Sequence, residues 1–134
     1  MGSLLITNGI LVTLDEANRF IHNGSVYIEN DRIVEVGDSS VASRQADRSI
    51  DARGSIVMPG LINGHSHAAI TLLRGIAEDM ALLEWLTQYI FPAELEFVDS
   101  KFVRIGTELA CWEMIRGGTT TFVDMYYFPD TIAE

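Results

Sequence analysis

Two histidines stand one residue apart at the end of the stretch PGLINGHSH, Pro59 to His67. The pair follows an apolar run and two glycines, a context that suits a metal ion. Side chains alternate along a strand, so His65 and His67 would project from one side of it. Two neutral imidazoles on one face can converge on a point about 2 Å from each, the length of a Zn–N bond. Gly60 and Gly64 leave room for the backbone to bend around that point. A bare H-x-H pattern also occurs in exposed polar loops. What argues for a ligand pair is its place just after a strand-like run.

The elements that must position the pair fall into two groups. Up to about Ile56 the chain reads as short strands separated by turns. LLITNGILVTL is rich in β-formers around Asn8-Gly9, which predicts a hairpin there. GSVYIENDRIVEVG predicts two further strands around Asn30-Asp31. DSSVASRQADRS reads as a surface loop, NGS at Asn23 as a turn, and IDARGSIVMPG as resumed extended chain. After Pro59 the character changes. ALLEWLTQYIF places Leu82, Leu83, Leu86, Tyr89 and Ile90 at helical spacing, with Pro92 ending the run. DSKFVRIGTELACWEMIRGG predicts a helix capped by Asp99 or Ser100 and stopped at Gly117. Its Phe102, Ile105, Leu109 and Trp112 can share one apolar face. TTTFVDMYYF then reads as a plain strand. The second half is therefore strand (56–63), helical region (68–91), helix (99–116) and strand (119–125), the pattern of parallel β/α units. SIVMPGLI is apolar on both faces, as a strand buried in a parallel sheet should be. In a barrel, a histidine pair at that strand's C-terminal end would lie where active sites are built.

Composition narrows the classes. Hydrophobic content of 48% with 21% charged residues is globular. A formal charge of −10, from 9 Lys+Arg against 19 Asp+Glu, argues against nucleic acid or an anionic membrane surface as partner. The single cysteine, Cys111, cannot form an internal disulfide and reads as a buried small hydrophobe in a reducing compartment. MGSLLITNG lacks the basic start of a signal peptide, and no apolar run approaches the ~20 residues that span a bilayer, so cytoplasm is the default. Other residues carry less. His22 sits in a polar turn; Trp85 and Trp112 read as core, with Trp85 near enough to the histidines to line a pocket. Asp124 ends a strand and either points to the site's rim or caps a turn. RGGTTT lacks the lysine and spacing of a phosphate loop.

VMPGLINGHSHAAITLLRG resembles the first-strand signature of the amidohydrolase superfamily. The continuation, HAAITLLRGIAEDMALLEWLTQYIFPAE, is similar to the branch holding 5′-methylthioadenosine/S-adenosylhomocysteine deaminases and triazine chlorohydrolases. Asn63, where dihydroorotase-like and hydantoinase-like relatives tend to have Asp, favours the deaminase branch. The resemblance implies an α/β chain. Residues 1–56 would form part of a small β-sandwich, and residues 57–134 the first β/α units of a metal-dependent-hydrolase (β/α)8 barrel, incomplete here. It implies a divalent metal, one Zn2+ per subunit, with His65 and His67 as its first two ligands, and a small nucleoside-like substrate. Glu94, in PAE, stands where the deaminases have a substrate-contacting glutamate. A carboxylate accepts two hydrogen bonds at once, which suits adjacent ribose hydroxyls. Judged by its local sequence alone, Glu94 would be a solvated glutamate after a helix end.

The family pattern also needs further metal ligands, a proton-shuttling glutamate and a late-strand aspartate. These are expected beyond Glu134, because a complete barrel takes about 250 residues. No catalytic side chain is assigned within the chain, which is expected to be the N-terminal part of a longer enzyme and inactive alone. A homo-oligomeric parent fits the resemblance. Two rival readings stand beside deamination: chlorohydrolysis or another heterocycle's hydrolysis on the same fold, and a non-catalytic binding module.

Overall fold

The computed structural model describes residues 2–134. Residues up to Pro59 form one compact unit and Gly60–Glu134 another.

The first unit is a five-stranded sheet built around β1 (Ser3–Val12). β1 runs antiparallel to β2 (Phe20–Glu29), which pairs in turn with β3 (Arg32–Gly37). On its other edge β1 runs parallel to β4 (Arg48–Asp51) and β5 (Ile56–Val57). Leu5, Tyr27 and Val41 form its core cluster. Val41 comes from the segment expected to be a surface loop; a short 3₁₀ turn over Val41–Ser43 carries it inward.

The hairpin expected at Asn8-Gly9 is absent: β1 continues straight through both residues. Asn8 has φ +61° and the register with β2 shifts between Ile6 and Gly9, so the dipeptide forms a bulge. Its amide donates to Asp51 Oδ1 at 2.9 Å, tying the bulge to β4. Asn23, with φ +50°, likewise lies inside β2 and not at a turn. The reversal comes later, where the Thr13 amide donates to the Arg19 carbonyl (3.1 Å) and Arg19 pairs with Asp15 (2.9 Å). Asn-Gly marks residues that tolerate positive φ; a bulge uses that tolerance as readily as a hairpin does.

The second unit contains one parallel β/α crossover. β6 (Leu61–Ser66) pairs with β7 (Thr119–Asp124) in parallel, matching Leu61 with Thr119 and Ser66 with Asp124. The strand expected over 56–63 is therefore two strands in different sheets. Pro59 lies between them and has no N–H to offer a ladder. Nor is the run buried on both faces: Ile62 is 73% exposed.

Between β6 and β7 come a 3₁₀ turn (Ala68–Leu73), α1 (Leu82–Trp85), a π-helical segment (Leu86–Ile90), α2 (Phe91–Phe97) and α3 (Ser100–Arg116). Pro92 does not end the helical run. It occupies the first turn of α2, where a missing N–H costs nothing, because the wider π turn precedes it. Asp99 caps α3 by accepting the Phe102 amide at 2.7 Å, and Gly117 stands at its C-cap. A final short helix, α4, spans Pro129–Ala133.

α3 does not pack on the expected face. Val103, Gly106, Thr107 and Ala110 are buried, whereas Ile105, Leu109 and Trp112 are exposed, Trp112 stacking under Arg116. The reason is distance. The 3₁₀ turn approaches α3 so closely that a Cβ on Gly106 would lie 2.3 Å from the Ala69 carbonyl oxygen. Only small residues fit such a contact, and Ala68 and Ala69 are buried opposite.

Gly106→Ala therefore sets two effects against each other. Ala at an open helical position gains about 1 kcal/mol over Gly. Here the added methyl meets backbone, which cannot rotate away, and overpacking of that kind costs about 1–3 kcal/mol or more. The variant is expected to be less stable, with a lower urea midpoint at unchanged slope. A raised midpoint would contradict the packing described.

Candidate functional site

The site stands at the C-terminal ends of the two parallel strands. β6 alternates as expected: His65 and His67 flank Ser66, whose hydroxyl lies 3.1 Å from the Val123 carbonyl and 3.2 Å from Asp124 Oδ1. Ser66 thus faces β7 while the histidines share a cavity. Their ring centroids are 5.1 Å apart with planes at 82°. Asn63 explains part of this order, since its side-chain oxygen accepts the His65 amide at 3.2 Å.

Just past β6 the chain turns into the 3₁₀ segment, and three bonds hold that turn to β7. The Ala68 amide donates to Asp124 Oδ1 (3.0 Å) and the Met125 amide donates to the Ser66 carbonyl (3.1 Å). The third sets the imidazole: His67 Nδ1 lies 2.8 Å from the Met125 carbonyl oxygen. A carbonyl only accepts, so Nδ1 carries the proton, and in the neutral ring Nε2 keeps its lone pair. Metal-binding histidines are oriented in this way by the hydrogen bond of their other nitrogen. The two imidazoles therefore fit a divalent cation. They are a partial set, for among the described residues no group of three or more His, Cys, Asp or Glu side chains converges.

The cavity they line is open, about 630 Å³ in volume, and mainly apolar; Trp85, Leu86, Ile90 and Tyr126 contribute to its walls. Glu94 reaches it from α2. It is half-buried in mid-helix, not solvated beyond a helix end, and its Oε1 accepts the Tyr126 hydroxyl at 2.8 Å. The π segment is what brings Glu94 round. Cavity residues recur as Leu82, Leu86, Ile90 and Glu94, four apart each time. A uniform α-helix would turn that row by about 40° per step. The wider π turn takes up part of this drift, and Tyr89, expected on the apolar face, lies outside the lining.

Trp85 lines the cavity, His22 is exposed, and Cys111 is only partly buried. Burial, reinforced by the Asp124 charge, raises the Cys111 thiol above its usual range, making it a poor nucleophile. Asp124 does not merely cap a turn; it joins the two strand ends, and its Oδ2 is buried without a partner among the described residues. Tyr126 is the residue that sequence reasoning passed over. Its signal was present: in a parallel pair, residues just beyond β7 must lie beside those just beyond β6.

The model of the amidohydrolase family matches residues 56–134. The chain belongs to this family. Among its relatives, this amidohydrolase chain is 50% identical over 133 residues to a 5-methylthioadenosine/S-adenosylhomocysteine deaminase of Syntrophobacter fumaroxidans, covering 98% of the chain and 30% of the relative. It is 48% identical over 134 residues to a 5'-deoxyadenosine deaminase of Methanosarcina mazei, covering 100% of the chain and 30% of that relative. Among solved structures it resembles an adenosine deaminase from Xanthomonas campestris with bound zinc. The TM-score is 0.92 at 39% identity, covering 97% of this chain and 30% of that one. The amidohydrolase chain thus spans about 30% of the length of the curated relatives it matches. Its α/β architecture agrees with these neighbours, and no helix among the described residues is long and apolar enough to cross a membrane.

Burial first, and then the hydrogen bond to Glu94 and its charge, push the Tyr126 phenol well above its ordinary pKa of 10.0. The folded state then holds that proton more tightly than the unfolded chain does. The resulting stability is complete below pH 10.0 and is lost as pH climbs above it toward the raised value. In an ultraviolet titration, Tyr126→Phe is expected to leave the phenolate absorbance that develops around pH 10.0 unchanged. A smaller step in the variant would overturn the assignment.

Proposed function

We propose that this chain supplies the first part of the active site of a metal-dependent deaminase. Its substrates would be adenosine-type thioethers, 5′-methylthioadenosine or S-adenosylhomocysteine. β6 and β7 would be the first two strands of a (β/α)8 barrel, preceded by part of a small β-sandwich. The observation that carries the reading is the His67–Met125 hydrogen bond, which leaves an imidazole lone pair beside His65 in a cavity that also holds Glu94. The names of the relatives support the substrate class, and the zinc-bound neighbour supports zinc as the metal.

His65 and His67 would hold the ion. A bound divalent cation supplies the Lewis acidity that makes water a nucleophile near neutral pH. The rest of the chain's work is binding and orientation. Trp85, Leu86 and Ile90 give an apolar wall that excludes water and suits a flat heterocycle. Glu94 would accept hydrogen bonds from the ribose hydroxyls, fixing the base with its exocyclic amine toward the histidines. Hydrolysis replaces that amine by oxygen and releases ammonia. No side chain described here is assigned to proton transfer.

Both tests belong in the longest natural reading frame that carries these residues. His65→Ala or His67→Ala is expected to lose bound zinc, measured by elemental analysis, and with it turnover. Full metal content and full turnover in either variant would sink the ligand assignment. Glu94→Gln should cost about tenfold to a hundredfold in specificity constant for a nucleoside, the worth of one charge-assisted hydrogen bond. A substrate lacking the ribose hydroxyls should lose little; equal losses would mark Glu94 as structural.

A further inference from the structure

We propose that Tyr126 is the positioning residue for Glu94, setting this site's preference for ligands that carry a vicinal diol. The inference rests on the reading of Glu94 as the ribose-binding carboxylate.

Glutamate loses as much rotamer freedom on being fixed as almost any side chain. On an open cavity wall it would sample several positions and pay that entropy when a ligand arrived. Tyr126 removes the cost beforehand. Its hydroxyl donates to Glu94 Oε1 at 2.8 Å, and no other hydrogen bond to that carboxylate exists among the described residues. An ionised carboxylate has about four acceptor positions, so one held by the phenol leaves the rest for paired donors such as adjacent hydroxyls. The donor is itself well fixed. A tyrosine side chain has two main torsions, and Tyr126 packs 5.0 Å from the Tyr127 ring, centroid to centroid. Its burial keeps the phenol protonated and hence a donor.

The backbone strengthens the case. Tyr126 directly follows Met125, whose amide donates to the Ser66 carbonyl and whose carbonyl accepts the His67 ring. The Tyr126 and His67 ring centroids are 6.3 Å apart. One strand terminus thus orients an imidazole through its main chain and a carboxylate through its side chain. The spacing between the metal-ligand candidates and the diol acceptor is built into two consecutive residues.

Tyr126→Phe removes only the hydroxyl. In the longest natural reading frame carrying these residues, it would be assayed with 5′-methylthioadenosine and its 2′,3′-dideoxy analogue, alone and combined with Glu94→Ala. The readout is KM and kcat, or an inhibition constant where a compound is not turned over. For the diol substrate KM is expected to rise about three- to tenfold with kcat within about twofold, as for loss of one hydrogen bond. The dideoxy compound should be little affected, and Tyr126→Phe should add nothing once Glu94 is alanine. Because each variant is read as a ratio between two compounds, a partial loss of active protein cancels. Equal losses on both compounds, or a full further loss in the Glu94→Ala background, would overturn the positioning role. If Glu94→Ala distinguishes the compounds and Tyr126→Phe does not, this inference alone falls. If Glu94→Ala treats both alike, the ribose reading of Glu94 falls and the inference with it.

Discussion

One carboxylate, that of Asp124, accepts the Ala68 amide at 3.0 Å, lies 3.2 Å from the Ser66 hydroxyl, and so fastens the end of β7 to the end of β6. The geometry of His67 depends on that junction. His67 lies just past the last residue of β6, where the ladder ends and the backbone turns into a 3₁₀ segment. Nothing in a strand's own periodicity would hold an imidazole there. The Asp124 and Met125 bonds replace the missing ladder, and the Met125 carbonyl also selects the ring nitrogen that keeps its proton. In partly buried surroundings such bonds are stronger than in water and their loss is costlier.

The same turn explains how α3 packs. Its hydrogen bonds to β7 hold the 3₁₀ segment in place, and α3 approaches it to within backbone contact at Gly106. That contact selects small residues on both sides: Ala68 and Ala69 on the turn, Gly106 and Ala110 on the helix. The large apolar residues Ile105, Leu109 and Trp112 lie on another face, which nothing among the described residues covers. Hydrophobic periodicity identified a real stripe on this helix. The stripe is not the surface that the turn touches, because periodicity locates apolar side chains and says nothing of how closely two backbones meet.

Glu94 and Tyr126 illustrate a second limit. Resemblance to a family pointed to Glu94, while its local surroundings suggested a solvated residue. Its place on the cavity wall comes from the π segment over Leu86–Ile90, an irregularity that no propensity scale predicts. Tyr126 lies 32 positions away in sequence, and only the crossover from β6 to β7 brings its hydroxyl to the carboxylate.

The amino-acid sequence by itself determined the succession of strand, helix and strand after Pro59, its parallel β/α character, the caps of α3 and the placing of the His65–His67 pair at the end of a strand. Each of these follows from local rules: alternation, helical spacing, cap chemistry and chain breaks. Only tertiary structure decided that Asn8-Gly9 is a bulge. It alone decided that Gly106 is a contact point, and that Asp124, Met125 and Tyr126 serve the histidines and Glu94. Those outcomes depend on partners 15 to 58 positions distant, whose approach is set by sheet register and packing distance; no window of neighbouring residues encodes either.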